Sequence, residues 1–182
     1  MKALVTGATG FTGAHLARSL VRAGDEVRVL VRDPARAASL TALGIEVVAG
    51  DLMEPEAIAS AVRGMDVVYN IAARYREAGL RASEYRAVNA DAVATIVRAA
   101  AAAGVTRVVH CSTVGVHGDV EHPPANEDAP IAPGDIYQET KVLGESLGRA
   151  AAAETGMDLV IARPTGIYGP GDRVFSFTVQ GH

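Results

Sequence analysis

Hydrophobic positions along this chain fall into two rhythms. Short runs rich in β-branched residues at 2–6, 26–31, 45–49, 66–71, 106–112 and 158–163 predict strands. Between them, 12–23, 35–43, 54–63, 82–103 and 136–155 carry apolar residues at helical spacing. Pro55 suits a first helical turn, and Gly104 ends the long Ala-rich helix. Strands alternating with helices predict an α/β fold: a doubly wound, mostly parallel sheet with helices on both faces, in strand order 3-2-1-4-5-6. The segment 118–134 breaks the rhythm with Pro123, Pro124, Pro130 and Pro133. It predicts a loop at the carboxyl edge of the sheet, where such folds bind ligands.

Composition narrows the class. The chain has 182 residues, 49% of them hydrophobic, which predicts one globular domain over 1–182 with a substantial core. Net charge is −4 and no long basic run occurs, which argues against nucleic acid or an anionic membrane as partner. No apolar stretch is long enough to span a bilayer, and the N-terminus runs straight into a glycine turn without a leader pattern. The single cysteine, Cys111, reads as a small buried hydrophobe, and the five histidines show no metal-ligand spacing. A reducing cytoplasm is the expected setting.

The first chemistry lies at the start, in Thr6-Gly7-Ala8-Thr9-Gly10-Phe11-Thr12-Gly13. A strand ends in three glycines spaced by three, and a helix follows at once. Gly7 permits the tight turn, Gly10 admits bare backbone to phosphates, and Gly13 lets helix and strand pack closely. With the helix dipole, this builds a dinucleotide pyrophosphate site. A second constellation is Tyr137 and Lys141, one helical turn apart on the same face. An ammonium beside a phenol favours phenolate, so the pair can trade a proton with a substrate oxygen while a cofactor trades hydride. Ser112-Thr113 closes the fifth strand, where a hydroxyl is placed either to meet the substrate oxygen or to cap the loop.

Further pieces occur in order: Gly50-Asp51-Leu52, Ile71-Ala72-Ala73, Asn89, Val116-His117-Gly118, Glu127 with Pro130 and Pro133, Glu145, and Arg163-Pro164-Thr165 through Tyr168 to Gly171. On these motifs the chain resembles the extended short-chain dehydrogenases/reductases of the NAD(P)-dependent epimerase/dehydratase family, whose dinucleotide domain is Rossmann-like. The resemblance implies that Thr113 polarises the substrate oxygen and that Tyr137 is the general acid/base. It implies that Lys141 binds the nicotinamide ribose and lowers the pKa of Tyr137. The cofactor would lie against Gly7, Thr9, Gly10, Phe11, Thr12 and Gly13. Asp51 and Leu52 would flank the adenine, Ile71, Ala72 and Ala73 would line the cleft, and Pro164-Thr165 would lie near the nicotinamide. Asn89 would sit under the site, either as a brace or in a direct role.

The second strand ends in Val31-Arg32 rather than a carboxylate. Arg32, helped by Arg36, suits the extra 2′-phosphate and favours NADP(H), while Asp33 keeps NAD(H) open. Val114-Gly115 follow Thr113 where family 4,6-dehydratases carry Asp-Glu, which disfavours that elimination. Gly166 stands where many sugar-nucleotide epimerases carry Asn, and His117 stands in place of the usual Tyr. What remains is a hydride-transfer centre for a hydroxyl or carbonyl substrate, of carbonyl-reductase or epimerase type. The alternative is a catalytically weak binding or sensing module. Family members continue past the last motif, so the chain reads as lacking a C-terminal substrate lobe, with Phe175–Val179 left apolar and turnover weak or absent. The long helices 82–103 and 136–155 pair across a dimer in many relatives, which leaves a homodimer open.

Overall fold

A computed structural model describes residues 1–121 and 123–172; the apolar run at 175–179 lies outside them. Six parallel strands form one sheet: β1 (Lys2–Thr6), β2 (Glu26–Val31), β3 (Glu46–Ala49), β4 (Val67–Asn70), β5 (Arg107–Cys111) and β6 (Asp158–Ala162). Their order is β3-β2-β1-β4-β5-β6, as the alternating pattern predicts. The order reverses between β1 and β4, which opens a crevice at their carboxyl ends.

Alternate residues of the strands feed two cores. Val5, Val27, Val29 and Val31 pack under α1 (Phe11–Arg22), with Ala17, Ala37 and Leu40. Leu4, Leu30, Val68 and Val108 face the opposite way, toward α3 (Pro55–Val62), α5 (Ala92–Ala102) and α6 (Ile136–Thr155). Both faces are therefore covered, which is why these strands read as near-continuous apolar runs.

Two helical predictions come out modified. The 35–43 stretch is a 3-10 turn (Pro34–Ala37) followed by a single turn, α2 (Ala38–Thr41). Pro34 opens it and the Asp33 carboxylate caps it through the Ala35 amide, 3.0 Å away. The 82–103 helix is α4 (Ala82–Arg86), a π segment (Ala87–Asp91) and α5 in continuous succession. The widened turn falls at Asn89, whose carbonyl a Cβ on Gly144 would strike, so α6 crosses there in close approach. The Asn89 side chain exchanges hydrogen bonds with the Arg74 backbone (2.8 and 3.0 Å) and donates to Thr140 (3.1 Å). Asn89 is thus a brace between the loop after β4 and α6. α5 and α6 pack on each other within the chain, with Gly148 against Val93.

Candidate functional site

The glycine turn has a geometry that only glycine accommodates. Gly7 adopts φ +70°, and a Cβ there would lie 2.7 Å from the Ala72 backbone. A Cβ on Gly13 would lie 2.6 Å from the Gly7 carbonyl carbon. The N-cap of α1 is Gly10, which offers no side-chain cap, and the first turn carries no acid. The leading amides of a twelve-residue helix are therefore left for an external anion.

These residues form one wall of a cleft of about 1130 Å³. Gly7, Thr9, Gly10, Phe11, Thr12 and Gly13 line it, as do Arg32, Arg36, Asp51, Leu52, Ile71, Ala72, Ala73, Thr113, Tyr137, Pro164 and Thr165. Of the residues the resemblance assigns to catalysis or to the cofactor, all thus border one space except Lys141, which is buried at 1% exposure. Asp33 does not border the cleft; its carboxylate is occupied by the local cap. Asp51 likewise accepts from the Met53 amide at 2.9 Å, which shapes the turn under the cleft.

Thr113 N-caps the 3-10 turn Val114–His117, accepting from the Gly115 amide at 3.1 Å. The capping role is real, and it fixes the hydroxyl oxygen at the cleft. The hydroxyl hydrogen has no acceptor among the described residues. Tyr137 enters from the first turn of α6, capped by Asp135 through the Gln138 amide at 2.8 Å. Its ring meets Tyr75 edge-on at 4.9 Å.

The expectation that Lys141 depresses the Tyr137 pKa is not met. The phenol is pushed up to about 12, first by burial, then by Cys111 and Tyr75, against a lowering by Arg76. The physical reason is where the ammonium goes. Lys141 Nζ donates to the Cys111 carbonyl at 2.6 Å and lies 3.5 Å from His110 Nε2. Burial pushes Lys141 itself down to about 8. Cys111 borders the cleft, but burial raises its thiol pKa, so it is no nucleophile at neutral pH.

Around the site runs a buried ion pair. Glu145 takes two bonds from Arg163 (2.9 and 2.6 Å) and one from the Ser112 hydroxyl (2.5 Å). Arg163 also donates to His117 Nε2 at 3.1 Å, while His117 Nδ1 serves the Ala129 and Pro130 carbonyls. His117 is therefore a packing residue that pins the proline-rich loop. Burial raises the Glu145 pKa, but the Arg163 and Ser112 bonds outweigh it and hold the carboxyl below its ordinary value. A folded-state pKa below the unfolded one stabilises the protein above the ordinary carboxylate range and loses that contribution as pH falls through the lowered value. Glu145→Ala is expected to cost about 3 kcal/mol in chemical denaturation at pH 7. The gap to wild type should narrow in acid; a pH-independent gap would contradict this role.

Sequence reasoning missed the loop after β4. Tyr75 and Arg76 line the cleft beside Tyr137, with the Arg76 guanidinium 6.0 Å from the Tyr137 ring and paired to Asp135 at 2.8 Å. Arg76 is the one non-glycine residue with positive φ (42°) among those described. No periodicity or motif marks this stretch.

With this geometry in view, the comparisons decide the family. The model of the NAD dependent epimerase/dehydratase family matches residues 3–180. The chain belongs to this family. It is 35% identical to sterol demethylase protein B of Methylococcus capsulatus over 94% of this chain and 53% of that protein. It is 34% identical to a 3-beta-hydroxysteroid dehydrogenase of Mycolicibacterium neoaurum over 100% of this chain and 53% of that one. The chain therefore spans about half the length of the curated relatives it matches. Among solved structures, the dTDP-glucose 4,6-dehydratase of Streptomyces venezuelae, with NAD bound, superposes with a TM-score of 0.88 at 31% identity, over 99% of this chain and 61% of that one. No helix among the described residues is long and apolar enough to cross a membrane. Nor does any group of three or more His, Cys, Asp or Glu there stand ready to hold a metal.

Proposed function

We propose that this chain is the dinucleotide-binding part of an NAD(P)-dependent oxidoreductase acting on a hydroxyl or carbonyl group of a small molecule. The observation that carries the reading is one cleft with two chemically distinct walls. One wall is the uncapped N-terminus of α1 over the Gly7–Gly13 turn, built for a pyrophosphate. The other holds Thr113 and Tyr137, built for a reacting oxygen. The residues present fit a nicotinamide dinucleotide, which supplies or accepts hydride when bound.

The chain's own residues handle the rest. The leading amides of α1 would hold the pyrophosphate, Asp51 and Leu52 would flank the adenine, and Ile71, Ala72 and Ala73 would line the cleft beside it. Thr113, its oxygen fixed by Gly115, donates to the substrate oxygen. Tyr137 gives a proton to that oxygen during carbonyl reduction and takes one during alcohol oxidation. Its raised pKa keeps the phenol protonated at neutral pH, as a donor requires. Lys141, buried one helical turn from Tyr137, would hold the nicotinamide ribose. A carbonyl or alcohol that undergoes no elimination suits this centre, since Val114 and Gly115, which follow Thr113, can neither give nor take a proton.

Arg32 and Arg36 border the cleft while the Asp33 carboxylate is taken up by the local cap, which favours NADP(H). NAD(H) is the second reading, favoured by the NAD in the Streptomyces enzyme. Arg32→Ala separates them. NADPH affinity is expected to fall at least about tenfold and NADH affinity to change little, as measured by nicotinamide fluorescence. Equal losses for both would refute the phosphate role.

A further inference from the structure

Three polar side chains lie in a row across the sheet, near the carboxyl ends of strands whose buried centres are otherwise apolar. Thr6 on β1 is the register partner of Asn70 on β4, and Asn70 is the register partner of His110 on β5. Each is 1% exposed, so each must find its partners within the protein. The Thr6 hydroxyl donates to Asn70 Oδ1 at 2.8 Å and accepts from the Ile71 and Ala72 amides, both at 3.2 Å. With its oxygen engaged, Asn70 turns its amide toward His110 Nδ1, 3.1 Å away. An amide nitrogen only donates, so Nδ1 carries a lone pair. His110 is neutral, pushed down to about 2 by burial and then by Lys141. Its one ring proton therefore sits on Nε2, and that N–H faces Lys141 Nζ at 3.5 Å.

A donor facing Nζ is compatible with an amine and incompatible with an ammonium. We propose that His110 is a positioning residue for Lys141. The Thr6–Asn70–His110 row selects the ring nitrogen that carries the proton, and so decides whether Lys141 meets a donor or an acceptor. The proposal takes Lys141 as the ribose-binding lysine of the reading above and rests on that reading for its catalytic consequence.

The charged state needs the opposite order. The Nε2 proton passes to Nζ, one proton enters at Nδ1, and the Asn70 amide turns to present its oxygen there. Its nitrogen then donates to Thr6 Oγ1, and the Thr6 hydroxyl hydrogen loses its acceptor. Net uptake is one proton, and the row resists it. The other groups facing Nζ push the other way: the Cys111 carbonyl accepts from it, and the Cys111 thiol and the Glu145 carboxylate on its own helix raise its proton affinity. Lys141 is thus balanced between two states, and the row ends on the amides of Ile71 and Ala72 that floor the cofactor cleft.

Long-range ¹H–¹⁵N spectra report which His110 nitrogen is protonated, and ¹³Cε shifts report the charge on Lys141. Neither needs turnover or bound cofactor, so a failed dinucleotide titration leaves this test standing. In the wild-type chain the His110 proton should move from Nδ1 to Nε2 as pH rises, with the same midpoint as Lys141. In Asn70→Asp both carboxylate oxygens only accept. His110 should then keep its proton on Nδ1 throughout, and the Lys141 midpoint should rise by at least about one unit. A His110 tautomer that stays fixed while Lys141 titrates would overturn the proposal, as would Nε2 protonation in Asn70→Asp. If that variant does not fold, the wild-type co-titration decides alone.

Discussion

Tyr137→Phe is expected to slow hydride transfer between a nicotinamide dinucleotide and a ketone by about 10²–10⁴-fold, the usual worth of a positioned proton donor. Dinucleotide affinity should change by no more than about twofold, because the lost hydroxyl makes no hydrogen bond among the described residues and the ring keeps its edge contact with Tyr75. The split between chemistry and binding separates an enzyme from a sensing module. A sensor needs the cleft but not the proton, so Tyr137→Phe would leave its output intact. Turnover unchanged by Tyr137→Phe would remove the phenol from the mechanism. The pH dependence has a definite sign. A phenol held near 12 remains protonated across the neutral range, so carbonyl reduction is not expected to fall as pH rises from 6 to 9; a loss with a midpoint in that range would contradict it.

The second large effect concerns Gly13→Ala, which should abolish measurable dinucleotide binding, a loss of at least about 10²-fold. One added methyl collides with the Gly7 carbonyl, and both residues belong to the same tight turn, so neither can move alone. The turn is also tied by the Gly10 amide to the Gly7 carbonyl at 3.0 Å. Relief requires α1 to back away from β1, which opens the core around Ala17 and moves the helix amides off the pyrophosphate. Overpacking of this kind costs about 1–3 kcal/mol of stability. Binding at wild-type strength in a folded Gly13→Ala chain would contradict the proposed cradle. The same substitution at an exposed glycine with open space around it, such as Gly24, serves as a stability control, although its φ of +88° carries its own backbone strain.

Much of this was legible in the chain itself, for a physical reason. Parallel strands buried on both faces leave long apolar runs, and the glycine turn leaves a spacing that few other structures need. Strand order followed from handedness and alternation, and the cleft-lining residues followed from motif order. Other features left weaker traces. Asn70 and His110 interrupt apolar strands, a visible signal, yet only the register shows that they stand beside Thr6 and beneath Lys141. The π segment at Asn89 depends on the approach of Gly144, fifty-five residues away in sequence, which no local pattern encodes. Arg76 sits in a loop with no period at all, and its place beside Tyr137 comes from its pairing with Asp135. The failure to depress Tyr137 has the same origin. Helical spacing put Lys141 on the right face, but not on the right partner, because the Cys111 carbonyl lies closer to hand.

The central claim is that the Gly7–Gly13 turn and the Tyr137 wall enclose a nicotinamide dinucleotide. Titration of the 182-residue chain with NADPH and NADH, followed by nicotinamide fluorescence, tests it most directly. The account predicts saturable binding at a single site, with NADPH the tighter ligand and no saturation in Gly13→Ala. Absence of saturable binding of either nucleotide to the folded wild-type chain would contradict it.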